Sequence, residues 1–502
     1  MTRLVRVERG RYHDSVTLMR ASAAGGEVIG VETVIAAMAT DLNRALLADA
    51  GFPPPDATVD DLVIAVQADS DAKAKEAVAA VERVLTRRDA VDSTAGAPLV
   101  PAHTVEAAIA QAPEAGVVVV SVPGRHAYVE AVAALRAGRH VMVFSDGVDV
   151  AAEVALKREA ATRALLVMGP DCGTAILDGV GLGFANVVVP GPVGLVAASG
   201  TGAQQLCCLL DGAGIGVRHV VGAGGRDLSA AVGGASALAA LTALDDDPAV
   251  GVIAIVSKPP DPEVADKVAA AAAGCRTPVV LAWVGPGRPT LTAAAAEIAA
   301  TLGMPFAEPP SWTPAPASSV PPRPGPLLGL FSGGTNCAEA LAVVEKRLGP
   351  ARSNVHHDQS RSIGPHEHAA DTHVLLDLGD DELTAGRPHP MIDPGPVADR
   401  LVAAAGAAGA DGGGPGVVLL DVVLGHGAHP DPAAVLAPAL AAARGAAVAT
   451  VVTLVGTAGD PQGLDRQAGA LVAAGALVHR SNARAAETAA TLATGAAVRS
   501  AP

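Results

Sequence analysis

The feature that most constrains this chain is an apolar segment that runs straight into a turn of small residues and then into a helical pattern, within residues 193–234. Val193–Ala198 has the composition of a buried strand, and Ala203–Leu210 is compatible with a helix. A second Gly-rich turn, containing Gly224 and Gly225, follows the next apolar run. The first turn joins strand to helix through four small residues: Ser199, Gly200, Thr201 and Gly202.

A strand, a small-residue turn and a helix in this order direct backbone N–H groups and a helix N-terminus toward an anion. Ser199 and Thr201 can either cap the helix or donate a hydrogen bond to a phosphate oxygen. The glycines allow a ligand to approach the backbone closely. The alternative is an ordinary capped turn, because a short Gly motif on its own is weak evidence for a binding site.

The composition indicates buried parallel strands covered by Ala-rich helices, since 50% of the 502 residues are apolar and only 2% are aromatic. The formal net charge is -16, and no basic block interrupts the sequence. We therefore expect neither a nucleic-acid partner nor an anionic membrane surface.

The five cysteines show no paired metal spacing, which is typical of a reduced cytoplasmic protein. The N-terminus lacks the apolar core of a signal peptide, and no apolar stretch is long enough to span a bilayer. Two histidine clusters, at residues 356–358 and 366–368, suggest a metal site, but their spacing fits no tight template. We expect no metal.

From residue 115 onward, strand patterns alternate with helix patterns, which predicts a parallel, doubly wound sheet. Ligands of such sheets lie beyond the carboxyl ends of the strands. Ser121, Pro123 and Ser145 follow predicted strands and belong to that edge.

The same pattern begins again after a Pro-rich segment at residues 305–326. Leu327–Phe331 repeats the strand at residue 193, and the apolar segments at 416–423 and 447–455 repeat those at 252–256 and 278–284. Three strand ends in the same order indicate an internal duplication. Two halves with similar turns suggest a site where they face each other. The second turn contains Ser332, Gly333, Gly334 and Thr335.

Four charged or titratable side chains are candidates for anion chemistry. Arg226 and Arg387 suit a carboxylate or phosphate, and the alternative for each is an ion pair with a nearby aspartate, Asp227 or Asp393. His389, between two prolines, is a candidate acid or base, and the alternative is a structural hydrogen bond. Lys258 follows a strand and is either an anion ligand or a solvated lysine.

Several longer motifs resemble a known family. Ser121-Val122-Pro123, Met168–Gly173, Ala198–Thr201 and Gly224–Asp227 are similar to the α subunit of succinyl-CoA synthetase, and residues 325–495 resemble the CoA-ligase domain of its β subunit. The FdrA-type proteins of this superfamily resemble nearly the whole chain. Their motifs here include Gly10–Val16, Leu376–Asp381, Gly386–Pro394 and Leu420–Val423.

The resemblance implies an α/β fold with a Rossmann-like CoA-binding domain and two flavodoxin-like ligase domains with parallel sheets. It implies a leader region (1–110), a Rossmann-like domain (111–190), a first ligase-like domain (191–304), a linker (305–326) and a second ligase-like domain (327–502). Ser121, Pro123 and Ser145 then take the CoA- or nucleotide-type positions, and each ligase-like domain supplies one phosphate-binding turn.

The sequence departs from the synthetases at the position of their phosphorylated histidine. The turn after Trp283 reads Gly285-Pro286-Gly287-Arg288 instead of Gly-His-Ala-Gly, and Ser257 and Lys258 replace the expected glutamate. We also find no ATP-grasp region. We therefore assign no cofactor, and CoA is the candidate that the resemblance implies.

FdrA-type proteins are implicated in purine-ureide breakdown, as part of an oxamate carbamoyltransferase that needs further subunits. The resemblance thus implies small anionic substrates (carbamoyl phosphate, oxamate and oxalurate), additional protein subunits and a homo-oligomer. In that reaction Arg226, Arg387 and His389 are the catalytic candidates. The alternatives are an acyl-CoA synthetase that binds CoA and a non-catalytic scaffold or regulatory subunit.

Overall fold

The computed structural model describes residues 2–11, 13, 15–26, 28–86, 102–315, 320–321, 323–364, 372–384, 388–411 and 414–497. The chain divides into two compact units, Met1–His103 with Ala385–Pro388, and Thr104–Thr384 with His389–Pro502. Among the described residues, no helix combines the length and apolar character that a membrane crossing requires.

The first unit is a small antiparallel sheet with helices on it. Its elements are β1 (Thr2–Glu8), α1 (Ser15–Gly26), β2 (Val31–Met38), α2 (Asp41–Asp49), β3 (Leu62–Ala68) and α3 (Asp71–Thr86). The central strand β3 pairs antiparallel with β1 and β2. One face of β3 packs with α1 and α3, and the other packs with Leu47 and Phe52, so the strand is buried on both faces.

The second unit begins with a three-stranded parallel sheet in the order β4-β5-β6. The alternation of strand and helix expected here is confirmed. The elements are α4 (Val105–Gln111), β4 (Val117–Val120), α5 (Gly124–Arg136), β5 (His140–Val143), α6 (Val150–Thr162) and β6 (Val167–Met168).

A six-stranded sheet follows, and we call residues 174–301 the first half. Its elements are β7 (Thr174–Leu177), β8 (Val180–Gly183), β9 (Val193–Ala197), α7 (Gly200–Gly212), β10 (Val217–Gly222), α8 (Ala235–Asp246), β11 (Val252–Ser257), α9 (Pro262–Ala273), β12 (Val279–Trp283) and α10 (Leu291–Thr301). Strands β12-β11-β9-β10 run parallel, and the hairpin β7–β8 continues the sheet in antiparallel fashion. The sheet thus includes β7 and β8, which precede residue 191, the expected first residue of the first ligase-like domain.

A seven-stranded sheet forms what we call the second half, residues 311–493. Its elements are β13 (Ser311–Trp312), β14 (Leu327–Phe331), α11 (Gly334–Leu348), β15 (Ala351–Ser353), β16 (His373–Asp377), α12 (Asp381–Thr384), α13 (Gly395–Asp411), β17 (Val417–Val423), α14 (Pro432–Gly445), β18 (Ala449–Val455), α15 (Leu464–Ala473), β19 (Leu477–His479) and α16 (Asn482–Ala493). Its strand order is β13-β19-β18-β17-β14-β16-β15, and among these described strands only the β13–β19 pairing is antiparallel.

The two halves share one topology. The order β12-β11-β9-β10 in the first half matches β18-β17-β14-β16 in the second, and in both halves a helix follows the third strand of this order. The predicted duplication is therefore confirmed, together with the parallel α/β architecture. Since β9 and β14 occupy equivalent positions, the helices that follow them, α7 and α11, are equivalent as well.

Buried polar contacts join the two halves. Arg480 donates through Nη2 to the carbonyl oxygens of Cys208 and Gly456, each at 2.7 Å. Asn186 Nδ2 donates to Asp460 at 2.8 Å. These groups are buried and would be costly to leave unpaired, so the contacts fix the halves in a single arrangement.

Candidate functional site

The first helix start, Ser199–Gly202, is positioned by strand β9, all of whose residues are buried. Ser199 is the N-cap of α7, and its Oγ accepts a hydrogen bond from the Gly202 N–H at 3.1 Å. The capping role considered for Ser199 is thus confirmed. The N–H groups of Gly200 and Thr201 have no acceptor within the helix, because the first turn of a helix leaves its donors unpaired.

The second helix start, Ser332–Thr335, follows β14 in the equivalent position, but its cap differs. Gly333 is the N-cap of α11 and supplies no side-chain hydrogen bond. The Ser332 N–H instead donates to Asp421 Oδ1 at 2.7 Å, and Asn336 Nδ2 donates to Asp421 Oδ2 at 3.1 Å. A buried carboxylate from β17 thus holds the residue before the N-cap and the Asn336 side chain.

The two helix starts contact each other. A Cβ atom added to Gly202 would lie 2.7 Å from Thr335 Cγ2, and one added to Gly333 would lie 2.3 Å from Thr201 Oγ1. Glycine is therefore required at both positions for the helices to approach this closely. The expectation that the two turns lie together is confirmed. Thr335 Oγ1 is buried and has no hydrogen-bond partner among the described residues.

Lys258 connects the halves at this point. It follows β11 of the first half, is half-buried, and its Nζ lies 2.9 Å from the position of a Cβ on Gly334 in the second half. Lys258 also lines a cavity of about 330 Å³ beyond the carboxyl ends of β9 and β11. The lining residues that belong to the predicted site are Gly225 and Lys258. An ammonium beside two helix N-termini gives this edge a positive potential.

Two carboxylates of the second half lie at the same edge, and the sequence reasoning did not select them. Burial is the main cause that raises the pKa of Asp377, to about 7, whereas Lys258 lowers it. Burial also raises the pKa of Asp421. Asp377 ends β16 and Asp421 lies in β17, the two neighbours of β14. Both residues lie within motifs that carry the family resemblance, Leu376–Asp381 and Leu420–Val423. That resemblance was the feature of the sequence that could have identified them.

Arg226 is held by the domain that precedes the first half. Its guanidinium contacts Glu153 at 3.0 Å and donates to the Val148 carbonyl oxygen at 2.7 Å. The alternative partner, Asp227, instead accepts from Lys157 Nζ at 2.7 Å, and Lys157 also contacts Glu153 at 2.7 Å. The side chains of Glu153, Lys157 and Asp227 are almost completely buried. This network holds the turn with Gly224 and Gly225 against α6.

His389 lies beside the second helix start, and Arg387 lies outside the described residues. A Cβ on Gly379 would lie 2.6 Å from His389 Nε2 and 2.5 Å from the Ser332 carbonyl oxygen. His389 Nδ1 accepts from the Met391 N–H at 3.3 Å, and burial lowers the pKa of the imidazole to about 4. The ring is therefore neutral at physiological pH.

The three residues at CoA- or nucleotide-type positions lie at the ends of β4 and β5. Ser121 and Pro123 are exposed, and Pro123 is the N-cap of α5. Ser145 is buried, and its Oγ accepts from the Val122 N–H at 3.1 Å, so it ties the two strand ends together. A ligand at this edge would meet Ser121 and the first turn of α5.

His356, in one of the histidine clusters considered for metal binding, and the Cys172 thiol are both buried. His356 contacts Glu345 at 3.4 Å, and residues 366–368 lie outside the described part of the chain. Burial raises the pKa of the Cys172 thiol to about 12. Within the described residues, no group of three or more His, Cys, Asp or Glu side chains is arranged to hold a metal ion.

Two family models match the chain. Residues 1–98 match the family described as AllF, heavy metal-associated domain, and residues 330–492 match the family described as CoA-ligase. The second match includes the second helix start and the two carboxylates beside it, Asp377 and Asp421.

The name of the first family implies a heavy metal, but the residues here do not fit one. Soft heavy metals prefer thiolate ligands, and all five cysteines lie at or beyond Cys172. The described residues of the first unit also hold no cluster of three potential ligands. No metal chemistry is therefore derived for this unit.

Comparisons with individual proteins cover different shares of the chain. The ATP citrate lyase from Methanothrix soehngenii, in complex with citrate and coenzyme A, is 22% identical, with a TM-score of 0.32 over 36% of this chain and 31% of its own. This chain thus spans about a third of that lyase. The acetyl-coenzyme A synthetase 1 of Ca. Korarchaeum cryptofilum, in complex with phosphate and ADP, is 16% identical, with a TM-score of 0.26 over 76% of this chain and 82% of its own.

The uncharacterized protein YahF of Escherichia coli (strain K12) is 35% identical over 508 residues, which cover 95% of this chain and 96% of YahF. This similarity extends over the leader region and both halves. Together with the AllF-type and CoA-ligase matches, it shows that the chain belongs to the FdrA-like proteins of the CoA-ligase superfamily.

Proposed function

We propose that the chain is the FdrA-type subunit of a cytoplasmic, multi-subunit carbamoyltransferase that acts on carbamoyl phosphate and oxamate, with oxalurate as the carbamoylated product. The observation that carries this proposal is the contact between the two helix starts, through Gly202 with Thr335 and Gly333 with Thr201. The AllF-type match of residues 1–98 supports the assignment as an FdrA-type subunit.

The phosphate group of carbamoyl phosphate fits the first helix start. The N–H groups of Gly200 and Thr201, which have no acceptor within the helix, supply donors, and the ammonium of Lys258, beside Gly334 of the adjoining second helix start, supplies positive charge. Preorganised donors of this kind stabilise the charge that develops on the departing phosphate. Carbamoyl transfer therefore needs no phosphorylated histidine, which agrees with Gly285-Pro286-Gly287-Arg288 after β12.

A CoA ligase is the second candidate, because residues 330–492 match the CoA-ligase family. In that case the exposed edge at Ser121 and Pro123 would receive CoA. The missing histidine weakens this candidate, since the phosphate relay of the related synthetases depends on that residue.

The test uses the full chain, alone and co-expressed with candidate partner subunits. Phosphate-dependent cleavage of oxalurate to carbamoyl phosphate and oxamate is measured in parallel with ATP-dependent CoA-thioester formation. We expect the first activity only. Thioester formation without carbamoyl transfer would establish the second candidate, and inactivity of every combination in both assays would favour a regulatory or scaffold subunit.

A further inference from the structure

Asp377 presents one free carboxylate oxygen at the second helix start. Its Oδ1 accepts from the Gly379 N–H at 3.0 Å. Its Oδ2 has no hydrogen-bond partner among the described residues and lies 2.8 Å from the position of a Cβ on Gly334. The backbone of Asp377 is fixed by two hydrogen bonds with the Asn354 side chain, both of 2.9 Å. One oxygen is thus held in place and the other is available to a ligand.

The free oxygen also lies close to Lys258 of the first half. Asp377 Oδ2 lies 2.8 Å from the position of a Cβ on Gly334, and Lys258 Nζ lies 2.9 Å from that position. The two atoms are therefore at most about 5.7 Å apart. No ion pair of 4.0 Å or less forms between these two described residues. The space between them is therefore bordered by an ammonium on one side and a carboxyl oxygen on the other.

The other charged groups around Asp377 favour its protonated form. Asp380, ahead of α12, and Asp421, on β17, both raise the pKa of Asp377, and burial raises it most. Lys258 and the hydrogen bond from the Gly379 N–H oppose them, and the thiol of Cys337 on α11 is neutral because burial raises its pKa well above the ordinary value. The resulting pKa of about 7 suits a group that exchanges protons near neutral pH.

We propose that Asp377 is the general base of the transfer and accepts the proton that the attacking oxamate nitrogen loses, an inference that rests on the proposed function. The nitrogen lone pair forms a bond with the carbamoyl carbon. The bond from that carbon to the bridging phosphate oxygen breaks, and its electron pair leaves with phosphate. One N–H proton moves to Oδ2 of Asp377 and then to the phosphate, so the products are oxalurate and hydrogen phosphate.

The arrangement also assigns the acceptor class. A carboxyl oxygen at a helix start repels a second phosphate but accepts a hydrogen bond from an N–H group. The acceptor is therefore a molecule that presents a neutral nitrogen to Asp377, while its own carboxylate is directed toward Lys258. Oxamate has both groups.

The test compares Asp377→Asn with Asp380→Asn in the full chain assembled with its partner subunits. Asparagine keeps the acceptor for the Gly379 N–H but cannot take up a proton. We expect D377N to lower kcat by about 100-fold or more, with the KM for carbamoyl phosphate changed by less than about threefold. D380N should keep kcat at pH 8 within about threefold.

The pH profile separates a base from a structural residue. The kcat of the unmodified assembly should rise with a slope of one up to about pH 7 and then level off. D377N should abolish this rise, and D380N should shift it to lower pH. A D377N protein with normal kcat, or with low kcat but an unchanged rise, would overturn the inference while the proposed function stands. An unmodified assembly without carbamoyl transfer would overturn both.

Discussion

The two helix starts occupy equivalent positions in duplicated halves, yet their surroundings differ. The first is capped by the Ser199 hydroxyl, and within the described part of the chain no carboxylate accepts from its first turn. The second is capped by Gly333, and Asp421 and Asp377 lie around it. A carboxylate at a helix N-terminus offsets the positive end of the helix dipole. One topology can therefore support two tasks, anion binding at the first helix start and proton transfer at the second.

The largest expected effect concerns the carboxyl at the second helix start. The pKa of Asp377 is about 7 in the folded protein against an ordinary value of 3.8. The folded state therefore binds this proton more tightly, and stability falls as pH rises from about 4 to about 7. We expect Asp377→Asn to stabilise the protein at pH 8 by up to about 4 kcal/mol and to lose this advantage toward pH 4.

Urea unfolding, followed by the fluorescence of Trp283 and Trp312, measures this difference within the second unit. Asp358→Asn is the control. Hydrogen bonds from Ser360 lower the pKa of Asp358, so its contribution is present at neutral pH and is lost as pH falls. Equal stability of D377N and the unmodified protein at pH 8 would show that the second helix start does not differ electrostatically from the first.

A second prediction tests the contact between the helix starts. In Gly333→Ala, the new methyl group would lie 2.3 to 2.9 Å from three atoms of Thr201, so we expect a loss of about 1 to 3 kcal/mol. Thr201→Ala in the same chain should recover part of the loss, because it removes two of those atoms. Gly406→Ala, on α13 with no atom within 4 Å, is the control and should not destabilise. Additive effects of the Gly333 and Thr201 changes would argue against the contact.

Phosphate affinity tests the positive charge of Lys258, which lies beside the two contacting helix starts. We expect Lys258→Met to raise the Kd for inorganic phosphate by about tenfold, because the ammonium is lost while the apolar length of the side chain is kept. Titration calorimetry on the full chain measures the effect. Lys267→Met should leave the Kd within about twofold, since Lys267 donates to the Gly233 carbonyl oxygen at an exposed position. An equal increase of the Kd in both variants would show that Lys258 does not contribute to phosphate binding.

The smallest effect concerns the hydroxyl cap. We expect Ser199→Ala to lower stability by about 1 kcal/mol and to weaken phosphate binding as well, because the first turn of α7 becomes less ordered. Thr290→Ala removes the same kind of cap from α10, where Oγ1 accepts from the Ala293 N–H at 3.1 Å. T290A should lower stability by a similar amount and should leave phosphate affinity unchanged. If S199A binds phosphate normally, the cap has no part in binding.

The sequence was sufficient for the features that depend on local pattern. Buried strands followed by Gly-rich turns predicted parallel sheets, and the repeated order of strand ends predicted the duplication. The partners of single side chains were not predictable in this way. Arg226 pairs with Glu153, 73 residues earlier, rather than with the adjacent Asp227. Likewise, Asp377 and Asp421 flank the second helix start only because β16 and β17 are the two neighbours of β14.

The covalent connection through residues 305–326 has a consequence for how activity depends on protein concentration. In an enzyme whose two helix starts come from separate chains, dilution disassembles the catalytic centre. Here both belong to one polypeptide and to one compact unit, so the second is always supplied at a high effective concentration. A loss of specific activity on dilution would therefore measure the dissociation of other subunits, and it would give their affinity directly.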